Sequence, residues 1–378
     1  MKSTSKFAGC FGFLSLLWSF CYAVKMPTKV KRPVIIGYVG GYRGFVDTNL
    51  VDPFSITHLN YAFVNIKEGK AFLNNPFVDS INLTNLDLLK QRNPQLQILI
   101  SIGGWSWSKN FSDAVMSDSS RQIFAASAVE IIRKYQLDGV DIDWEYPGMQ
   151  GDKDNVFRPE DKQHYTLMFQ AIRGELDSLE IETGRKKLLT TAVGGFASFA
   201  RHTEMAKVQQ YLDYINLMTY DYFPDKTGRH HANLYAGKNR PDDDGGENAV
   251  NIFLAAGVPA SKLVLGIPFY GRSFQMDSSA KVGLGDKVIN HVYGKGFTFI
   301  KDSLIDQGGF KSYKDDFAKA PYLFNSELKM FITYDDEWSV NLKCKYVLYR
   351  KLAGVMFWEY DDDKKGYLLH VINEALKQ

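Results

Sequence analysis

The chain has 378 residues, 45% of them hydrophobic, with 45 Lys and Arg against 43 Asp and Glu, enough apolar matter for a large core and almost no net charge. This composition excludes a disordered chain, and without a basic tract or net positive field it also excludes nucleic acid and anionic membrane as partners. Three cysteines (Cys10, Cys21 and Cys344) form no disulfide framework, and His and Cys nowhere fall at metal-ligand spacing, so neither a metal nor a cofactor is expected.

Residues 1–23 read as a secretory signal. Lys2 and Lys6 precede or open an apolar run from Phe7 to Tyr22, and Cys21-Tyr22-Ala23 has the small-x-small form of a cleavage site. The alternatives are an uncleaved anchor and a lipid-modified Cys21. Cleavage leaves 43 basic against 43 acidic groups and Cys344 alone, a structural thiol and not a nucleophile by its setting in LKCKYV. A secreted monomer, extracellular or periplasmic, is the expectation, since no later segment has the length of a membrane span.

Eight short runs rich in β-branched and aromatic residues follow in order: PVIIGYVG from Pro33, ITHLNYAFV from Ile56, LQILISIGG from Leu96, LDGVDIDWEYP from Leu137, KLLTTAVGG from Lys187, LDYINLMTYDY from Leu212, KLVLGIPFYG from Lys262 and GVMFWEY from Gly354. Amphipathic stretches of helical length separate most of them, such as SRQIFAASAVEIIRKYQ before the fourth and EDKQHYTLMFQAIRGELDSLE before the fifth. This alternation implies parallel strands with helical crossovers, and eight repeats predict an α/β fold closed as a (β/α)8 TIM barrel. An open doubly wound sheet is the runner-up, but Gly37-x-x-Gly40-Gly41-x-x-Gly44 has the wrong spacing for a dinucleotide fingerprint. Between the seventh and eighth runs the gap is too long for one helix. Its glycine and β-forming residues predict a small α+β insertion at 275–332, splitting a barrel of 30–274 and 333–378. The charge runs Asp242 to Asp244 and Asp361 to Asp363 read as solvated loops.

The fourth run carries the chemistry. Side chains alternate along a strand, so Asp141, Asp143 and Glu145 share one face at about 6.5 Å Cα spacing, while Val140, Ile142 and Trp144 fill the other. Burying three acids together requires shared protons or hydrogen bonds, and the milder reading is a solvated acidic edge. In a barrel the strands' carboxyl ends face the site, which collects Tyr38, Phe63, Ser101 to Trp105, Glu145, Met218 to Asp221, Tyr270 and Trp358 there. Carboxylates ringed by aromatic side chains suit a sugar, whose faces stack on rings. On these residues alone the ladder also fits metal binding or ordinary two-acid hydrolysis.

DGVDIDWEYP resembles the DxxDxDxE signature of family 18 glycoside hydrolases, the chitinases, supported by SIGGWS at 101–106, MTYDY at 218–222, LVLGIPFYGRSF at 263–274 and GVMFWEYDDD at 354–363. The insertion resembles that of the deep-cleft subgroup. The resemblance implies retaining, substrate-assisted hydrolysis of chitin or other β-1,4-linked N-acetylglucosamine oligosaccharides through an oxazolinium intermediate. It casts Glu145 as acid and base and Asp143 as partner of the acetamido N–H. Asp141 would share a proton or hydrogen bond with Asp143, Tyr220 would bond the acetamido oxygen, and Asp138 would be structural. Tyr38, Phe63, Gly104, Trp105, Tyr146, Met218, Asp221, Tyr270, Arg272 and Trp358 would bind substrate. Two places depart from the family: Phe223-Pro224-Asp225 replaces a frequent tryptophan, and Asn233 stands where proline is common. Alternative functions are an endo-β-N-acetylglucosaminidase acting on N-glycans or peptidoglycan, and a non-catalytic lectin-like binder. Asn82-Leu-Thr84 and Asn110-Phe-Ser112 match the glycosylation sequon.

Overall fold

The computed structural model describes residues 1–2, 4–5, 32–222, 226–238, 244–292 and 294–377. The expected signal with Cys10 and Cys21, the Phe223-Pro224-Asp225 departure, and Asp242 and Asp243 lie outside these residues. All eight runs contain a strand. β1 (Val34–Gly40), β2 (His58–Lys67), a short β3 (Lys70–Phe72), β4 (Gln97–Gly103), β5 (Gly139–Asp143), β6 (Leu188–Gly194), β7 (Tyr214–Met218) and β8 (Leu263–Pro268) come first. Five further strands follow: β9 (Arg272–Met276), β10 (Val288–Val292), β11 (Phe310–Asp315), β12 (Ala320–Asn325) and β13 (Met330–Thr333); then β14 (Gly354–Trp358) returns to the first sheet.

The first sheet runs β1-β14-β8-β7-β6-β5-β4-β2, every one of these pairs parallel, and β1 also pairs with β2, closing a (β/α)8 barrel. Closure leaves no open edge among the eight strands. β3 folds back on β2 as an antiparallel hairpin extension. Helices Pro76–Arg92, Asp118–Lys134, Asp161–Thr183, Gly246–Ala255 and Glu337–Arg350 make the longer crossovers. Their ends follow local chemistry: Ser117 and Ser120 form a reciprocal capping box, and Gly184 ends its helix at φ 65°, where a side chain would be strained.

Strand alternation divides the core into layers. Outward residues such as Val140, Ile142, Leu189 and Ile215 pack with helix residues Phe124, Val129, Phe169 and Ile172. Inward residues Ile36, Tyr38, Ala62, Val264 and Met356 fill the barrel. The second sheet, ordered β10-β9-β13-β12-β11 and antiparallel throughout, has its own small core of Phe274, Met276, Tyr322, Phe324 and Phe331.

One expectation is corrected. The Asp361 to Asp363 run is not a solvated loop: it lies in a 3-10 turn whose last residue, Asp363, is buried and accepts the N–H groups of Tyr367, Leu368 and Leu369, satisfying the free start of the C-terminal helix. The sequon asparagines are structural. Asn82 is fully buried, its amide nitrogen donating to Gly44 O and Tyr61 Oη, and Asn110 donates to Ile66 O at 2.6 Å. Among the described residues no helix is long and apolar enough to cross a membrane.

Candidate active site

β5 delivers the acids as the alternation requires, but at different depths. Asp141 is fully buried inside the barrel. One carboxylate oxygen accepts Tyr38 Oη at 2.9 Å and Ser101 Oγ at 2.8 Å; the other accepts Thr190 Oγ1 at 2.5 Å and Asn216 Nδ2 at 3.4 Å. Burial pushes its pKa up, and the hydrogen bonds from Thr190, Ser101 and Tyr38 pull it back. The expected Asp141–Asp143 hydrogen bond is absent. Donors from β1, β4, β6 and β7 saturate Asp141, whereas Asp143 Oδ1 is buried with no partner among the described residues. Tyr38 is likewise corrected. It is only 1% exposed and lies beneath the site as an Asp141 donor, because its strand position points into the barrel below the mouth.

Asp143 and Glu145 reach a cavity of about 840 Å³ at the carboxyl ends of the strands. Burial first, then the charges of Glu145 and Asp141, hold Asp143 well above the ordinary carboxylate range. Glu145 is pushed up to about 7, mainly by burial and further by the charge of Asp221, against an opposing effect of the Tyr146 hydroxyl. A carboxylic acid that keeps its proton near neutrality can donate it. Asp138, at the other end of β5, accepts Lys90 Nζ and Ile98 N and braces the strand far from the cavity.

The cavity gathers Phe63, Gly104, Trp105, Tyr146, Met218, Tyr220, Asp221, Tyr270, Arg272 and Trp358 around the two acids. Phe63 stacks on Trp358 at 5.3 Å and 18°, and Tyr42 stacks on Phe63 at 6.2 Å and 14°, giving a run of near-parallel rings. Phe63 does not end its strand. A register shift between Ala62 and Val64 turns it out of the ladder while β2 continues to Lys67. Trp105, 50% exposed, meets the edge of Tyr146 at 6.4 Å. Opposite, Arg272 grips Asp221 with Nε at 2.8 Å and Nη2 at 2.5 Å, and lies 4.7 Å over the Tyr270 ring. Burial disfavours the Asp221 anion, but hydrogen bonds from His231 and Arg272 and the guanidinium charge prevail and hold its carboxyl below the ordinary range.

Sequence reasoning missed Tyr42, Trp107, Phe196, Tyr222 and His291 in the wall. Tyr42 and Trp107 each lie within four residues of a strand end, a usable signal. His291 belongs to β10 of the second sheet, and nothing in its sequence context announces the cavity. The departing Asn233 donates to Tyr235 O at 2.9 Å and Asp244 O at 2.7 Å, bonds a proline could not make.

Acids with raised pKa values under stacked aromatic rings, at the carboxyl end of a closed parallel barrel, define a glycoside hydrolase site. The chain belongs to glycosyl hydrolase family 18, whose model matches residues 34–363. Chitinase A1 of Niallia circulans is 36% identical over a 454-residue alignment that covers 99% of this chain and 63% of that enzyme's length. Chitotriosidase-1 of Mus musculus is 32% identical, with 84% of this chain and 69% of that protein aligned. Among solved structures, a family 18 N-acetylglucosaminidase from Paenibacillus barengoltzii superposes at a TM-score of 0.84 with 39% identity, over 91% of this chain and 99% of that one.

Proposed function

We propose that this chain is a secreted chitinase that hydrolyses β-1,4 linkages between N-acetylglucosamine units by substrate-assisted retention. The observation that carries the reading is that Glu145 and Asp143, the latter with a buried, unpartnered oxygen, line one cavity with the stacked Phe63 and Trp358 rings. Glu145 donates its proton to the glycosidic oxygen as the bond to the anomeric carbon breaks. The acetamido carbonyl oxygen of the same sugar attacks that carbon and forms the oxazolinium ring. Asp143 accepts the acetamido N–H on its unpartnered oxygen, with Asp141 held fixed below it. Tyr220, whose hydroxyl donates to the Met356 sulfur at 3.8 Å, turns that proton to the acetamido oxygen of a seated sugar. Trp358 and Phe63 form the floor under the sugar. Water then opens the ring, with Glu145 as base.

Incubation with chitohexaose tests the activity, and the mechanism is tested by an aryl glycoside with 2-hydroxyl in place of 2-acetamido. The expected result is β-anomeric product from chitohexaose and no turnover of the 2-hydroxyl substrate; equal turnover of both overturns the mechanism. A second reading, release of single N-acetylglucosamine units from chain ends, is favoured by the 39% identity to the Paenibacillus barengoltzii enzyme. Monosaccharide as the first product would select it.

A further inference from the structure

Two side chains outside the acid ladder hold the backbone on either side of the Glu145 Cα. β5 ends at Asp143, so the chain beyond it has left the sheet and its polar groups need other partners. The Glu145 N–H donates to Ser108 Oγ at 2.9 Å, and the Glu145 carbonyl accepts Asn155 Nδ2 at 2.7 Å. Ser108 is fully buried, and its own proton goes to the carbonyl of Gly104 at 2.9 Å or Asp143 at 3.1 Å, which leaves its oxygen free to accept from Glu145. The two partners come from different segments. Ser108 sits in the 3-10 segment Trp105–Asn110, whose Trp105 and Trp107 line the cavity, and Asn155 comes from the loop after β5. That loop touches the same carbonyl directly: a Cβ on Gly151 would lie 1.9 Å from Glu145 O.

We infer that Ser108 and Asn155 are positioning residues for proton donation. They clamp the Glu145 backbone between the Trp105 segment and the loop after β5, so that its carboxyl meets the glycosidic oxygen of a seated sugar. The inference rests on the reading of Glu145 as the acid. It has a chemical signature. The proton passes from Glu145 to the departing oxygen as the anomeric C–O bond breaks, so loss of aim matters most where the leaving group is a basic sugar alkoxide. A 2,4-dinitrophenolate departs with little need of that proton.

The test compares Ser108→Ala and Asn155→Ala with the unmodified protein on chitotetraose and on 2,4-dinitrophenyl β-chitobioside. A displacement of about 1 Å lowers rates by up to about 100-fold, so kcat/KM on chitotetraose, which reports the steps through glycosidic cleavage, should fall tenfold or more, with kcat/KM on the aryl glycoside changing less than about threefold. The ratio of the two rates does not depend on how much of the variant is folded. In the Glu145→Gln background neither alanine substitution should slow chitotetraose further. An equal loss on both substrates, or no loss on either, overturns the inference. Full chitotetraose turnover by Glu145→Gln alone would instead remove the acid assignment on which it rests.

Discussion

At the residue scale, one cavity wall holds carboxylates in opposite states. Asp221 is kept ionised by Arg272 and His231, while Glu145 keeps its proton to about pH 7. Because the acid must be protonated to act, kcat/KM should fall above about pH 7, and a rate that keeps rising to pH 9 would contradict the assignment. The Asp221 charge is one cause of the raised Glu145 value, so Asp221→Asn should move that alkaline limb to lower pH, as read from the pH profile of kcat/KM. Glu145→Gln should lower kcat by about 100-fold or more while oligosaccharide binding, measured by calorimetry, persists. The same substitution bears on stability with a definite sign. A carboxyl whose folded pKa is raised from 4.5 to about 7 binds a proton in the folded state that the unfolded chain has released, so stability falls as pH rises across that window. Glu145→Gln should therefore have the higher Tm at pH 8, with the difference vanishing towards pH 4, as scanning calorimetry can check.

At the element scale, the loop after β4 matters as much as β5. Gly103 has φ 114° and a Cβ there would stand 2.1 Å from Asp143 O, while Gly104, at φ 82°, would meet the Phe63 ring. Only glycine lets this backbone pass against the acid strand and turn into the Trp105 segment. Gly103→Ala should cost about 2–4 kcal/mol in a urea titration, far above a typical surface substitution. The SIGGWS motif was legible, yet its local reason was not: the glycines answer to β5 and to Phe63, about 40 residues away on either side. Ser108 was silent for the same reason, since a serine in a short helical turn has no distinguishing sequence context. Asn82 shows the converse case. Its sequon is genuine as a pattern, but burial against Gly44 and Tyr61 gives the amide a structural task.

At the scale of the whole molecule, the site is shared between the barrel and the second sheet. β9 supplies Arg272 and β10 supplies His291, both facing the cavity that the barrel strands open. A wall residue away from the acids should affect binding more than chemistry, so His291→Ala should raise KM for chitohexaose severalfold and leave kcat nearly unchanged in steady-state kinetics. By itself the sequence determined the eight barrel strands, the alternation that turns Asp141, Asp143 and Glu145 to one face, and the aromatic residues at strand ends. These are local matters of period and residue type. Tertiary structure alone decided that Asp141 is saturated from four other strands while one Asp143 oxygen has no partner among the described residues, that Tyr38 lies below the cavity, and that His291 enters its wall. Each of those depends on which distant segments closure of the barrel brings together, and no local period encodes that.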